Sequence, residues 1–149
     1  MRRLGFGFKN ALRGIAYALV NERNFRVHIV AMLSVVYFAA VFGIEKWQWA
    51  AIIFVVALVM AAELINTAFE KIVDELSPQK SDFARIVKDS AAAAVLVLAV
   101  GAVALAAVLF WDAQGWQRIG FYIKDNYGWL IAFVALGTGF IYMKKENKR

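Results

Sequence analysis

Along this chain, long apolar blocks alternate with short charged connections, and the polar positions inside the blocks are few enough to name. Val27 to Ile44 carries polar side chains only at His28 and Ser34, and Trp47 to Phe69 only at Gln48, Glu63, Asn66 and Thr67. Ser90 to Trp111 is an Ala/Val/Leu run without a charge, while Tyr127 to Met143 is shorter and contains three glycines. A membrane-spanning helix needs about 20 predominantly apolar residues. The pattern therefore predicts spans over 27–44, 47–70 and 90–111, and a fourth, C-terminal span over 127–143. Ahead of them Leu4, Phe8, Leu12, Ile15 and Leu19 recur at helical spacing among scattered Arg and Lys. Residues 1–22 thus read as an amphipathic helix lying in the membrane surface, not as a signal peptide with an apolar core. The expected fold is an all-α integral membrane protein: one surface helix, three core transmembrane helices and a fourth at the C-terminus. Residues 112–126, with Gly115, Trp116 and several charges, read as an external connection, and 144–149 as a basic cytoplasmic tail.

Composition sharpens this picture. Apolar residues make up 62% of the 149 and charged residues only 19%, against about 45–50% and about 25% in ordinary soluble domains. That excess needs lipid to face. The absence of Cys excludes disulfides, iron–sulfur clusters, thiolate zinc sites and a thiol nucleophile, and the single His excludes a histidine metal cluster. Any metal must be held by oxygen ligands, as Mg²⁺ is. The net charge of +6 follows from topology. Arg2, Arg3, Lys9, Arg13, Arg23 and Arg26 precede or open the first span; Lys71, Lys80, Arg85 and Lys88 lie between the second and third; Lys144, Lys145, Lys148 and Arg149 end the chain. The other two connections hold only Lys46, Arg118 and Lys124. Positive-inside bias then puts both termini on the cytoplasmic side. Trp47, Trp49, Trp111, Trp116 and Trp129 fall near segment ends, as an interfacial aromatic belt requires. No basic stripe with interleaved base-stacking aromatics points to nucleic acid.

The chemistry concentrates in Glu63-Leu-Ile-Asn66-Thr67-Ala-Phe-Glu70-Lys-Ile-Val-Asp74. At 100° per residue Asn66, Glu70 and Asp74 fall at about 300°, 340° and 20° from Glu63, so the four share one stripe about 16 Å long. An acid at the centre of a spanning helix costs about 2.5–3.5 kcal/mol on insertion scales, so a chain keeps it for a partner or a purpose. One reading is a helix-packing hydrogen bond to Asn66 or a neighbouring helix. The other makes Glu63 a general base for a hydroxyl inside the membrane, with Glu70 coordinating a hard cation and Asn66 orienting either. Two more polar clusters lie on the same side: Asn21 to His28, containing Glu22, and Lys88-Asp89-Ser90. Singly, Glu22 reads as a solvated interfacial residue, Asp89 as a helix-start acid and Lys88 as a snorkelling cation. Together they are the parts of magnesium-assisted phosphoryl transfer, although no Gly-x-x-x-x-Gly-Lys-Ser/Thr phosphate loop is present.

Three motifs in order resemble the prokaryotic diacylglycerol kinase family: Asn21-Glu22-x-x-Phe25-Arg26; Glu63-Leu-Ile-Asn66-Thr67-Ala68-x-Glu70-x-x-x-Asp74; and Ala84-x-x-x-Lys88-Asp89-x-x-Ala92-Ala93-x-Val95. The resemblance runs from about Phe8 to about Trp111 and marks 1–111 as a membrane lipid kinase domain and 112–149 as an extension. It implies an ATP- and Mg²⁺-dependent kinase of the bacterial cytoplasmic (inner) membrane, its active site facing the cytoplasm, assembled as a homotrimer with sites shared between subunits. By resemblance Glu63 is the catalytic base with Asn66 as organiser, Glu22 and Glu70 hold magnesium, and Asp74, Lys88 and Asp89 contact the nucleotide. Arg26-Val27-His28 resembles the undecaprenol kinase branch, which makes undecaprenol the expected substrate and diacylglycerol the alternative. A small proton-coupled transporter built on Glu63 is the reading from a different class; it leaves Glu70 and Lys88-Asp89 unexplained.

Overall fold

The computed structural model describes residues 2–77 and 81–143, and five helices account for nearly all of them: α1 (Arg2–Asn21), α2 (Arg23–Phe42), α3 (Lys46–Leu76), α4 (Asp82–Leu109) and α5 (Ala113–Ile141). Lys80 and the expected basic tail, Lys144 to Arg149, lie outside the described residues. α2, α3 and α4 are each long and apolar enough to cross a membrane, and the chain is an all-α integral membrane protein.

Local chemistry sets each boundary. α1 and α2 are separated by one residue, Glu22, held extended at φ −108° and ψ 116°. α2 stops at Gly43, whose φ of +80° is the left-handed cap that only glycine adopts cheaply. Three residues later α3 opens with a reciprocal capping box: Gln48 Oε1 accepts from Glu45 N at 2.7 Å, and the Glu45 carboxylate accepts from the Gln48 backbone. Ser81 caps α4 by accepting from Ala84 N at 3.1 Å. Asp112 caps α5 by accepting from Gly115 N at 2.7 Å.

α3 and α4 form the most extensive pair, and α2 packs on α3. The buried core of Ala39, Ile52 and Leu109 lies near the α2–α3 turn. At that end Phe38, Phe42, Phe110 and Trp116 stack edge to face. Most of the remaining apolar surface points outward, as expected where lipid is the solvent. α3 has 31 residues, about 46 Å at 1.5 Å per residue, so it outruns a hydrocarbon core of about 30 Å. Its last turns, past the 70 at which the sequence pattern ends the span, carry Asp74.

Residues 112–126 depart from expectation. In place of an external connection they form the first limb of α5, which continues through the segment expected as a separate span at 127–143 and bends at Asn126 (φ −129°, ψ 20°). Gly115, which suggested a loop, has another purpose. A Cβ at Gly115 would come within 2.3 Å of the Phe42 ring, so the missing side chain is what lets α5 sit on α2. α5 runs antiparallel along the whole of α2: Arg118 Nη1 donates to Phe42 O at 2.7 Å at one end, Tyr37 and Tyr122 hydroxyls meet at 2.6 Å, and Arg26 Nε donates to Ile141 O at 3.2 Å at the other.

Candidate active site

The stripe expected on α3 forms. Glu63, Asn66 and Thr67 are buried, a concentration of polar groups found nowhere else among the described residues. Asn66 Nδ2 donates to Glu70 Oε1 at 3.0 Å, one turn apart, so Asn66 aims the Glu70 carboxylate. Its own Oδ1 is buried without a hydrogen-bond partner. A buried acceptor left open costs about 1–3 kcal/mol, and here it belongs to a residue between Glu63 and Glu70 on the same helix. His28, from α2, places Nε2 3.9 Å from Glu63 Oε2.

Glu22 reaches the stripe from the α1–α2 corner. Lys71 Nζ, on α3 beside Glu70, stands 3.1 Å from Glu22 Oε1. Lys71 also lies 5.9 Å from the centre of the Tyr17 ring on α1. At the Asp74 end of the stripe Lys88 of α4 forms an ion pair with Asp74. Asp89 is not brought to this face. It is exposed on α4 and lies 3.8 Å from Arg85, one turn before it.

Among the described residues no three His, Asp or Glu side chains are placed to hold a metal by themselves. Mg²⁺ is commonly held by one or two carboxylates with substrate phosphates and water completing its octahedron. The all-oxygen set of Glu22, Glu70 and the open Asn66 Oδ1 fits that mode.

Two contributors were not legible as site residues. Lys71 pairs with Glu22 across 49 positions of sequence, and Arg26 holds the corner through backbone carbonyls. Arg26 stands in two of the motifs that carry the family resemblance, but nothing in its local pattern says that it grips two helix ends.

An acid ladder that begins on the apolar part of a spanning helix and ends in a charged pair suits a lipid phosphotransferase, and comparison with known proteins agrees on the class. Residues 9–110 match the prokaryotic diacylglycerol kinase family, and the chain belongs to that family of lipid kinases. A diacylglycerol kinase of Synechocystis sp. is 39% identical over 97 residues, 64% of this chain and 55% of that protein. The undecaprenol kinase of Bacillus subtilis is 33% identical over 100 residues, 67% of this chain and 81% of its own length. A diacylglycerol kinase of Escherichia coli is 32% identical over 103 residues, 69% and 84%. The chain thus spans only about half the length of the Synechocystis relative. α5 begins at Ala113, past the end of the family match at 110.

Proposed function

We propose that this protein transfers the γ-phosphate of ATP to the hydroxyl of a membrane lipid at the cytoplasmic face of the bacterial inner membrane, with undecaprenol as the preferred substrate. The observation that carries the reading is Glu63, 3% exposed, one turn beyond an apolar groove between α2, α3 and α4. The groove has a volume of about 320 Å³ and runs from His28 past Ala31, Val56 and Ala102 to Phe110. It has room for a hydrocarbon chain lying along the helices, with a terminal hydroxyl at the His28 end. Glu63 takes the hydroxyl proton as the oxygen attacks the γ-phosphorus and ADP leaves. Glu22 and Glu70 would hold Mg²⁺, which supplies charge neutralisation for the phosphates. Asp74 and Lys88 receive the nucleotide at the ladder's outer end. In the homotrimer that this reading includes, Asp89, exposed and turned from its own ladder, serves a neighbouring copy's site. α5, antiparallel to α2, completes a fourth crossing and returns the chain to the cytoplasmic side.

Phosphate transfer to undecaprenol and to diacylglycerol, run side by side in mixed micelles with Mg²⁺-ATP, tests the reading. Glu63→Gln, which removes the base and little volume, should lower transfer at least about a hundredfold. Label in polyprenyl phosphate supports the proposal. Label chiefly in phosphatidic acid gives the diacylglycerol reading, which the names of the Synechocystis and Escherichia coli relatives favour. Label in neither lipid from folded protein overturns both and returns the transporter reading.

A further inference from the structure

Arg26 is a cation on a membrane helix and is only 6% exposed. No carboxylate pairs with it among the described residues; its hydrogen bonds go to carbonyl oxygens at the ends of two other helices. Nη1 donates to Leu19 O at 3.3 Å and Val20 O at 3.1 Å, in the last turn of α1, and Nε donates to Ile141 O at 3.2 Å, the last residue of α5. Terminal carbonyls lack partners within their own helices and carry the negative end of the helix dipole. A planar guanidinium with several donors can satisfy two such ends at once. Arg23, three residues earlier, adds a second tie, its guanidinium 5.0 Å from the centre of the Tyr142 ring.

The α1–α2 corner consists of a single extended residue, Glu22. Glu22 N donates to Ala18 O at 2.9 Å and Glu22 O accepts from Arg26 N at 3.4 Å, and beyond these two bonds the direction of α1 is set by what grips it: Ala18 buried in the packing, Lys71 beside the Tyr17 ring, and Arg26. We propose that Arg26 is a positioning residue for Glu22, and that α5 is the brace that holds Arg26 in place. Docking of α5 along α2 fixes the guanidinium, the guanidinium fixes the end of α1, and Glu22 is thereby held over the acid ladder. The proposal rests on the reading of Glu22 as part of the phosphoryl-transfer site and gives the added helix a part in that chemistry.

Gly137 and Gly139 supply a matched test on full-length protein. A Cβ at Gly137 meets Val30 Cγ1 at 3.2 Å, whereas one at Gly139 meets nothing within 4 Å. Gly137→Leu therefore levers α5 away from α2 near Ile141, and Gly139→Leu does not. Because the chain has no native Cys, spin labels on Ile15→Cys and Leu136→Cys, diluted with unlabelled protein, read the α1–α5 distance directly. Gly137→Leu and Arg26→Gln should broaden that distance and weaken equilibrium MgATP binding about fivefold or more, the scale of a typical coupling between sites. The lipid KM should stay near wild type, Gly139→Leu should behave as wild type, and Arg26→Lys should recover part of the binding. A broadened distance in Gly137→Leu with unchanged MgATP binding overturns the proposal, as does a distance that stays narrow in both variants. Should Arg26→Gln not fold, Gly137→Leu alone decides. Wild-type protein that neither binds MgATP nor phosphorylates lipid overturns the kinase reading alone, and the clamp then stands or falls on the label distances.

Discussion

Glu63 and Glu70 are two carboxylates on one helix with different surroundings, and the difference assigns their work. Glu63 is sealed inside, facing His28 and the apolar groove; Glu70 is half-buried and receives the Asn66 amide at 3.0 Å. A carboxylate held by a side-chain amide at the membrane boundary suits a cation, and one without such a donor suits a proton. Glu70→Gln should therefore shift the Mg²⁺ concentration for half-maximal transfer upward by at least the roughly tenfold that losing even a supporting carboxylate costs a metal site. A Mg²⁺ titration at saturating ATP and lipid checks this, and an unmoved midpoint would remove Glu70 from the metal site. This part of the site was legible from spacing alone, because four polar residues on a 3.6-residue repeat can face only one way. Lys71 was not, since its pairing with Glu22 depends on the angle at which α1 meets α3, and no local pattern encodes that angle.

At the scale of helices, the apolar runs of α2, α3 and α4 were readable because lipid imposes one requirement, length with few charges, that composition reports directly. α5 was only half readable. Its second limb has the apolar run, but its first carries Arg118, Lys124 and Asp125 together with two glycines, which in isolation resemble a connection. Tertiary contact decides otherwise: Phe42 fills the space above Gly115, Arg118 caps the end of α2, and Tyr122 meets Tyr37. Gly115→Leu should consequently cost about 1–3 kcal/mol, the scale of overpacking a close contact. Gly120→Leu, on the same limb with nothing within 4 Å of its Cβ, should be silent. Thermal unfolding of the two variants in detergent separates them; equal midpoints would mean that the first limb does not bear on α2.

For the whole molecule, the antiparallel run of α5 along α2 makes a prediction about sides. With no native Cys to mask, single cysteines at exposed Gln114 and Asp82 can be challenged in intact cells with a membrane-impermeant thiol reagent. Gln114→Cys should react from outside and Asp82→Cys only after the membrane is opened; the reverse would invert the orientation that the cation distribution implies. The connections at the Gln114 end are very short. α2 passes to α3 through Gly43, Ile44 and Glu45, and α4 to α5 through Phe110, Trp111 and Asp112. Such turns are too small to be carried across the bilayer as separate domains. They suit biogenesis by helical hairpins, α2 entering with α3 and α4 with α5, so that the insertion machinery need export only a few polar atoms per pair. The end of the bundle that carries these two turns is left with little that a protease or an antibody could grasp.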